Sequence, residues 1–282
     1  MIYRKIENNK EQSLKQCLQY YCGDIAKMQI SRAIQGKDVK VNGKRVKTNV
    51  TVYENDIVEA YFNETKQNIY DVIYQDDNIL VVNKKKGIET VSFDETKQTL
   101  QTVVQKDFPT AKAVHRLDTN TLGLVAFALN RNAENELLDA FKNGNVVKKY
   151  FAVVSSHDVK NEETFTDYFT KTDNATVKFG ANDTDGIEAS LSYKLIKRVG
   201  DLAQIEVDLH TGKTHQIRAQ LAYHKIFILG DGKYGDKNLN RKYKKDVQSL
   251  ASVYLRFENL ATLKYLQSLP FDIRKLQTFY KV

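Results

Sequence analysis

Asp118 stands in the stretch His115-Arg-Leu-Asp-Thr-Asn-Thr-Leu-Gly-Leu124, a turn that runs straight into the apolar run Val125 to Leu129. A carboxylate at the mouth of a buried strand is costly unless it is paired or used. Its spacing fits two readings. One is a turn aspartate bonding backbone amides, which Asp-Thr-Asn-Thr suits. The other is a carboxylate kept for proton transfer or nucleophilic attack. A second island, LHTGKTHQIRAQL (209–221), ends a strand at Leu209, turns at Thr211-Gly212 and starts a helix near Thr214. Arg218 then lies one turn into that helix. A guanidinium there could pair with a carboxylate held at a neighbouring strand mouth, although spacing alone does not establish the contact.

Other chemistries lack their residues. There is no Gly-x-Ser-x-Gly elbow, no Gly-x-x-x-x-Gly-Lys-Ser/Thr phosphate loop and no His-Glu-x-x-His helix. The histidines at 115, 157, 210, 215 and 224 show no ligand spacing. Cys17 and Cys22 lack a second ligand pair and make no disulfide framework. The expectation is an enzyme or binder with no metal and no cofactor, in a reducing, cytoplasmic compartment. No segment reaches the ~18 apolar residues of a membrane span, and the opening MIYRKIENNKEQS has no apolar core, so neither a membrane anchor nor a signal peptide is expected. The formal charge of +8 favours a polyanionic partner, and the lysines concentrate in GKDVKVNGKRVK (36–47) and GKYGDKNLNRKYKK (232–245). Nothing points to an obligate protein partner.

The elements that would position these residues follow from periodicity. At 282 residues and 41% hydrophobic, the chain can form one large domain or a large and a small one. Residues 13–35 repeat apolar positions at helical steps: Leu14, Leu18 and Tyr21, then Ile30, Ala33 and Ile34. Gly36 stands where a helix C-terminal glycine would. VKVNG (39–43) and DIVEAYF (56–62) alternate like half-buried strands, and Asn42-Gly43 is a hairpin signal. Residues about 12–62 thus form a helix-helix-hairpin unit, followed by a polar linker, NETKQN (63–68). The second unit alternates in DVIYQDDNILVVNK, LGLVAFAL, KYFAVVS, ASLSYKLIK and LAQIEVDL. Helices interrupt at 131–143, with Ala133, Leu137, Leu138 and Phe141 on one face and Gly144 at the end, and at 214–224, with Ile217 and Leu221 on one face. Strands without regular strand-helix alternation predict an α+β domain on a mostly antiparallel mixed sheet. The domains are expected at 1–65 and 66–282.

Two resemblances sharpen these expectations. SRAIQGKDVKVNGKRVKTNVTVYENDIVEAYF resembles the RNA-binding domain shared with small-subunit ribosomal protein S-four, with Glu54-Asn55-Asp56 where that pattern has a Gly-Asp turn. It implies an RNA-facing surface from Ser31, Arg32, Lys37, Lys40, Asn42, Lys44 and Arg45. In the second unit, HRLDTNTLGL resembles the His-Arg-Leu-Asp-x-x-Thr-Ser-Gly-Leu signature of RluA-type RNA pseudouridine synthases, and TGKTHQIR resembles their Thr-Gly-Arg-Thr-His-Gln-Ile-Arg segment. KKYFAVV (148–154), LGDGKYG (229–235) and DDNILVVNKKKG (76–87) resemble three further family segments, all in family order over residues 70–236. Leu122 departs from a serine, Lys85 from a proline and Lys213 from an arginine.

The resemblance implies an isomerase that breaks the bond between uracil and ribose, turns the base and rejoins it through carbon five. It needs no redox cofactor and no net hydrolysis. Asp118 would be the essential carboxylate, whether it attacks sugar or base or removes a sugar proton; Arg218 would keep it ionised. Tyr150 would stack on the extruded base, returning about 1–3 kcal/mol against a flip of a few kcal/mol. Arg116 would fill the space the base leaves. His115, Lys213, Ile217 and Leu221 complete the expected substrate contacts. Ribosomal RNA of the large subunit is the favoured substrate, with transfer RNA possible. Two other readings stay open: a noncatalytic RNA-binding or ribosome-assembly factor, and a hydrolase, for which Asp231 is the candidate second acid.

Overall fold

The chain divides into two units, residues 1–67 and 68–282, seen in a computed structural model that describes residues 2–22, 25, 27–62, 69–171, 177–180 and 186–274. The expected linker over 63–68, and the boundary placed within it, lie outside the described residues.

In the first unit, β1 (Ile2–Glu7) and β2 (Gln12–Ser13) lead into α1 (Leu14–Tyr21) and α2 (Lys27–Gln35), then β3 (Val39–Val41), β4 (Lys44–Val46), β5 (Thr51–Val52) and β6 (Ile57–Phe62). Ser13 caps α1: its Oγ accepts from the Gln16 amide while Gln16 Oε1 accepts from the Ser13 amide. Asn42 and Gly43 both take positive φ, 50° and 78°, the geometry of the tightest hairpin turn. Asn55 stands left-handed at φ 66° in the turn where the resemblance expected glycine; asparagine is the side chain that tolerates this best. Gly36 is not the left-handed residue after α2. That is Lys37, at φ 61°, and Gly36 is needed instead for space, since a Cβ there would lie 3.0 Å from Asp38 and 3.1 Å from the Arg32 carbonyl. Sequence periodicity also missed β1, which pairs antiparallel along the whole of β6 and makes a four-stranded sheet in the order β1-β6-β3-β4. Leu14, Leu18, Ile30, Ile34, Val39, Val58 and Phe62 fill the core beneath it.

The second unit is built on one large sheet. Its strands are β7 (Tyr70–Gln75), β8 (Ile79–Lys84), β9 (Lys112–Ala113), β10 (Leu122–Ala128), β11 (Val146–Ser155), β12 (Glu162–Lys171), β13 (Val177–Phe179), β14 (Ile187–Val199), β15 (Leu202–Leu209), β16 (Leu250–Phe257) and β17 (Phe271–Asp272). The helices are α3 (Leu100–Asp107), α4 (Arg131–Lys142), α5 (Gln216–Tyr223) and α6 (Lys237–Lys242). The main path runs β13-β12-β14-β15-β11-β16-β10-β8-β7. Every described pairing is antiparallel except β10 with β16. The expected mostly antiparallel α+β sheet is therefore what the chain forms. β16, the last long strand, sits between β10 and β11 and joins the two halves of the sheet.

Each face of the sheet is covered. α3 and α5 pack Leu100, Val104, Ile217 and Leu221 against Leu80, Val82, Val125 and Ile205 on one face. α4 and the 260–273 segment pack Leu137, Leu263, Leu266 and Phe271 on the other. Leu138, expected on the inner face of α4, is exposed, and Ala140 is buried in its place. Gly144 at φ 76° ends α4, with the Asn145 amide donating to Ala140 O at 2.8 Å. Gly123 is fixed by the parallel joint: at φ 112°, any Cβ would stand 2.0 Å from Ser252 O.

Candidate active site

Asp118 occupies a turn held from several sides. The Thr121 amide donates to Asp118 O at 3.0 Å, and Gln248 Nε2 donates to Thr121 Oγ1 at 2.6 Å. Thr90 Oγ1 accepts from the Leu117 amide and donates to Leu117 O, both at 3.0 Å. Beneath the turn lies Lys84, whose Nζ donates to Thr119 O at 2.9 Å and to Lys85 O at 3.0 Å. Lys84 is wholly buried. Burial pulls its pKa down to about 8, against the attraction of Asp118. Sequence reasoning passed over Lys84, Thr90 and Gln248; the one available signal was an Asn-Lys pair ending the apolar run of β8.

Arg218 reaches this turn from 100 residues downstream, its Nη1 donating to Asp118 Oδ2 at 2.7 Å. Its other edge forks onto Asp231, Nε to Oδ2 at 2.7 Å and Nη2 to Oδ1 at 3.0 Å. Burial opposes the guanidinium's charge, but Asp231 and Asp118 together hold its pKa above the ordinary value. Burial likewise opposes the Asp231 charge, and Arg218 with the Tyr234 and Lys233 amides keeps that carboxyl below the usual range. The Tyr234 ring lies 5.3 Å from Arg218 Cζ and its hydroxyl 3.1 Å from His215 Nδ1. Asp231, expected as a structural turn residue, is thus also the anchor of the arginine.

The α5 N-terminus differs from expectation. The helix begins at Gln216 rather than near Thr214, because His215 takes a left-handed φ of 54° and its side chain makes no cap. Arg218 consequently sits in the first turn, not one turn in. Gln216 instead folds back and ties down the preceding turn: its Oε1 accepts from Thr211 Oγ1 and the Lys213 amide, and its Nε2 donates to Ser190 O. A cation in a helix's first turn is unfavourable by the helix dipole alone; the two carboxylates supply the compensation.

These pieces wall a cleft of about 620 Å³, lined among others by His115, Arg116, Asp118, Tyr150, Lys213, Ile217 and Arg218, a size within the range of small-molecule sites. Leu221 is not in it; this residue is fully buried in the core, on the inner face of α5. Tyr150 lines the cleft from β11, with little of its side chain exposed, just past an irregularity in the β11–β16 pairing. Burial, with Asp118 adding to it, raises its pKa above the ordinary value, so the ring is a neutral phenol at physiological pH. His115 accepts from the Ala126 amide at 3.0 Å through Nε2 and stacks on Phe141. Burial and the nearby Lys148 push its pKa down to about 3, which keeps the imidazole neutral. Arg116 and Lys213 are exposed at the rim. Among the described residues no group of three or more His, Cys, Asp or Glu stands close enough to hold a metal.

The arrangement presents one carboxylate, oriented by a buried guanidinium, to a cleft with an apolar wall, a phenol ring and a cationic rim. Asp231 is unsuited to act as a second acid: both its oxygens are taken by Arg218, and Oδ1 also accepts from the Lys233 and Tyr234 amides. A hydrolase with two carboxylates flanking the bond does not fit this site.

The family described as RNA pseudouridylate synthase matches residues 78–223. A ribosomal large subunit pseudouridine synthase C of Rickettsia typhi is 32% identical over 238 residues, covering 74% of this chain and 78% of that protein. An uncharacterized RNA pseudouridine synthase of Mycoplasma capricolum is 31% identical over 269 residues, covering 85% and 86%. The solved structure of human RNA pseudouridylate synthase domain containing 1 superposes with a TM-score of 0.58 at 22% identity, covering 76% of this chain and 91% of that one, a likeness of fold. The chain belongs to the RNA pseudouridylate synthase family. Its activity is accordingly an isomerisation, the conversion of uridine in RNA to pseudouridine.

Lys85 and Leu122, two departures from the signature, have local explanations. The Lys85 amide donates to Ile69 O at 2.8 Å, a bond proline could not make, and its Nζ pairs with Asp71. Leu122 begins β10 half-buried, against the α4 side of the core.

Proposed function

We propose that this protein isomerises uridines of large-subunit ribosomal RNA, with Asp118 as the catalytic carboxylate, Arg218 as the group that orients it and Tyr150 as the ring that receives the extruded base. The observation that carries this reading is the 2.7 Å bond from Arg218 to Asp118 inside a cleft that Tyr150 also lines. The acid needs to stay ionised beside the ribose while the glycosidic bond breaks, and a fixed guanidinium favours that state. Arg116 at the rim occupies the gap left in the RNA. His115, neutral, and Ile217 shape the wall, and Lys213 meets backbone phosphate. The ribosomal assignment rests on relatives named for the large subunit, in Rickettsia typhi and, at 29% identity, in Buchnera aphidicola.

The first domain, residues 1–65, is the RNA clamp in this reading, similar to the ribosomal protein S-four domain, and residues 66–282 are the catalytic domain. Ser31, Arg32, Lys37, Lys40, Lys44 and Arg45 offer the RNA-facing groups. Asn42 plays a different part: its Oδ1 accepts from the Ile57 amide and its Nδ2 donates to Asp56, so it locks the hairpin that presents the lysines. The buried, unlinked Cys17 and Cys22 suit a cytoplasmic protein.

The test is to map pseudouridines in cells with and without the gene, and to assay purified Asp118→Asn on ribosomal RNA from the deletion strain. The expected result is one or a few lost positions, restored by the native protein and not by the variant, with RNA affinity retained. Native-level turnover by Asp118→Asn would overturn the mechanism; lost positions confined to transfer RNA would overturn the substrate.

A further inference from the structure

A second cavity, of about 840 Å³, opens at the other end of β15 from the catalytic cleft: Leu202 and Gln204 line it, whereas Leu209 lines the cleft. Its floor is apolar, from Leu122, Phe151, Leu202 and Leu229, and Lys85, Lys86, Lys244 and Lys245 stand around it with Asp246 as the one acid. Lys86, Lys244 and Lys245 are exposed and form no ion pair among the described residues, while Lys85 is paired with Asp71. Both Lys85 and Leu122, where the sequence leaves the signature for proline and serine, line this one cavity. The lysine-rich segment 232–245 supplies two of the other cations, Lys244 and Lys245.

The cavity is wired to the catalytic turn. Gln248, in its wall, donates to Thr121 Oγ1 at 2.6 Å. Lys85 follows Lys84, which holds Thr119 O. Asn240, ahead of Lys244, donates to Asp231 O at 3.1 Å and accepts from the Gly230 amide at 2.6 Å. Leu250 lines both cavities.

We infer that this cavity is a second RNA site, which holds a single-stranded stretch of the substrate away from the target uridine. The inference rests on the family activity and deepens it. Unpaired lysines around an apolar floor match a phosphate backbone with an unstacked base turned inward. An acidic peptide would match the lysines but not call for the apolar floor. A substrate that fills this cavity presses on Gln248 and Lys85, and so on the turn that carries Asp118.

The experiment measures binding of a fluorescent twelve-residue oligouridylate by the full-length protein across a salt series, for the native chain and for Lys86→Ala/Lys244→Ala/Lys245→Ala. Three lost phosphate contacts are expected to lower the salt slope by about 2 and to weaken affinity about tenfold at physiological salt. On ribosomal RNA the triple variant keeps its kcat and raises KM. A photo-crosslink from 4-thiouridine oligonucleotide is expected on a peptide spanning 243–249, which lines this cavity and not the catalytic cleft, and to disappear in Leu122→Asp. An unchanged slope, or crosslinks confined to 115–118, 148–150 and 209–218, overturns the second site; so does a triple variant with native KM. Absence of any pseudouridine formation by the native protein would instead sink the catalytic reading, while the oligouridylate binding would still report on the cavity.

Discussion

Arg218→Ala removes a side chain that is only a tenth exposed, donates to Asp118 and forks onto Asp231. The Asp231 side chain is 1% exposed, so the substitution strands a buried charge. Breaking such a pair from one side costs about 3–5 kcal/mol. For a unit of this size that corresponds to a fall in melting temperature of about 6–20 °C. The rate falls separately, because Asp118 loses the group that fixes it; misplacement on the order of 1 Å costs about 10²-fold or more. Arg218→Met/Asp231→Asn separates the two effects. It removes both buried charges while the asparagine oxygen still accepts from the Lys233 and Tyr234 amides, so most of the stability returns while activity stays lost. The assays are thermal melts followed by circular dichroism and pseudouridine formation on ribosomal RNA at a temperature where both variants are folded. Arg218→Ala melting with the native protein, or a double variant with native turnover, would refute the reasoning.

Gly123→Ala places a Cβ where Ser252 O already stands, 2.0 Å away at φ 112°, so a loss above about 4 kcal/mol and little soluble protein are expected. Gly144→Ala, at φ 76° with no atom within 4 Å, is the control and costs about 1–2 kcal/mol; similar yields and melts for the two would contradict the close approach. The Lys84 pKa, pulled from 10.5 to about 8, sets a pH dependence. Between those values the unfolded chain binds more protons than the folded one, so stability contributed by this residue rises with pH through that window. Melts from pH 7.5 to 10 are expected to show this rise in the native protein and not in Lys84→Met; parallel curves would place the lysine in water.

Much of the site was legible because its residues lie in short runs with strong local signals. The strand-to-turn passage at Asp118 and the turn before α5 could both be read from alternation and from Thr-Gly. What could not be read was long-range. Nothing near Asp231 announces that it anchors a side chain thirteen residues earlier, and nothing near Lys84 announces a carbonyl thirty-five residues on. The expected α5 start near Thr214 is two residues early because His215 takes a left-handed φ of 54°, which no glycine or asparagine at that position announces. Leu221 was read as a contact because it shares a helix face with Ile217, but that face turns into the core one turn later. β1 was missed since Ile2–Glu7 alternates over only a few residues and is half-buried, its partner β6 lying more than fifty residues away.

The position of β16 has a consequence for how the protein is made. Asp118 belongs to the half of the sheet with β7, β8 and β10, while Tyr150 and Arg218 belong to the half with β11 to β15. The strand that stitches the halves, residues 250–257, leaves the ribosome after both. Until then each half carries an open edge, at β10 and at β11, of the kind that pairs with a stranger. On the proposed assignment of Asp118, Tyr150 and Arg218, the nascent chain therefore holds every side chain of the site but no catalyst, and activity arrives in a single late step, when the final long strand slots home.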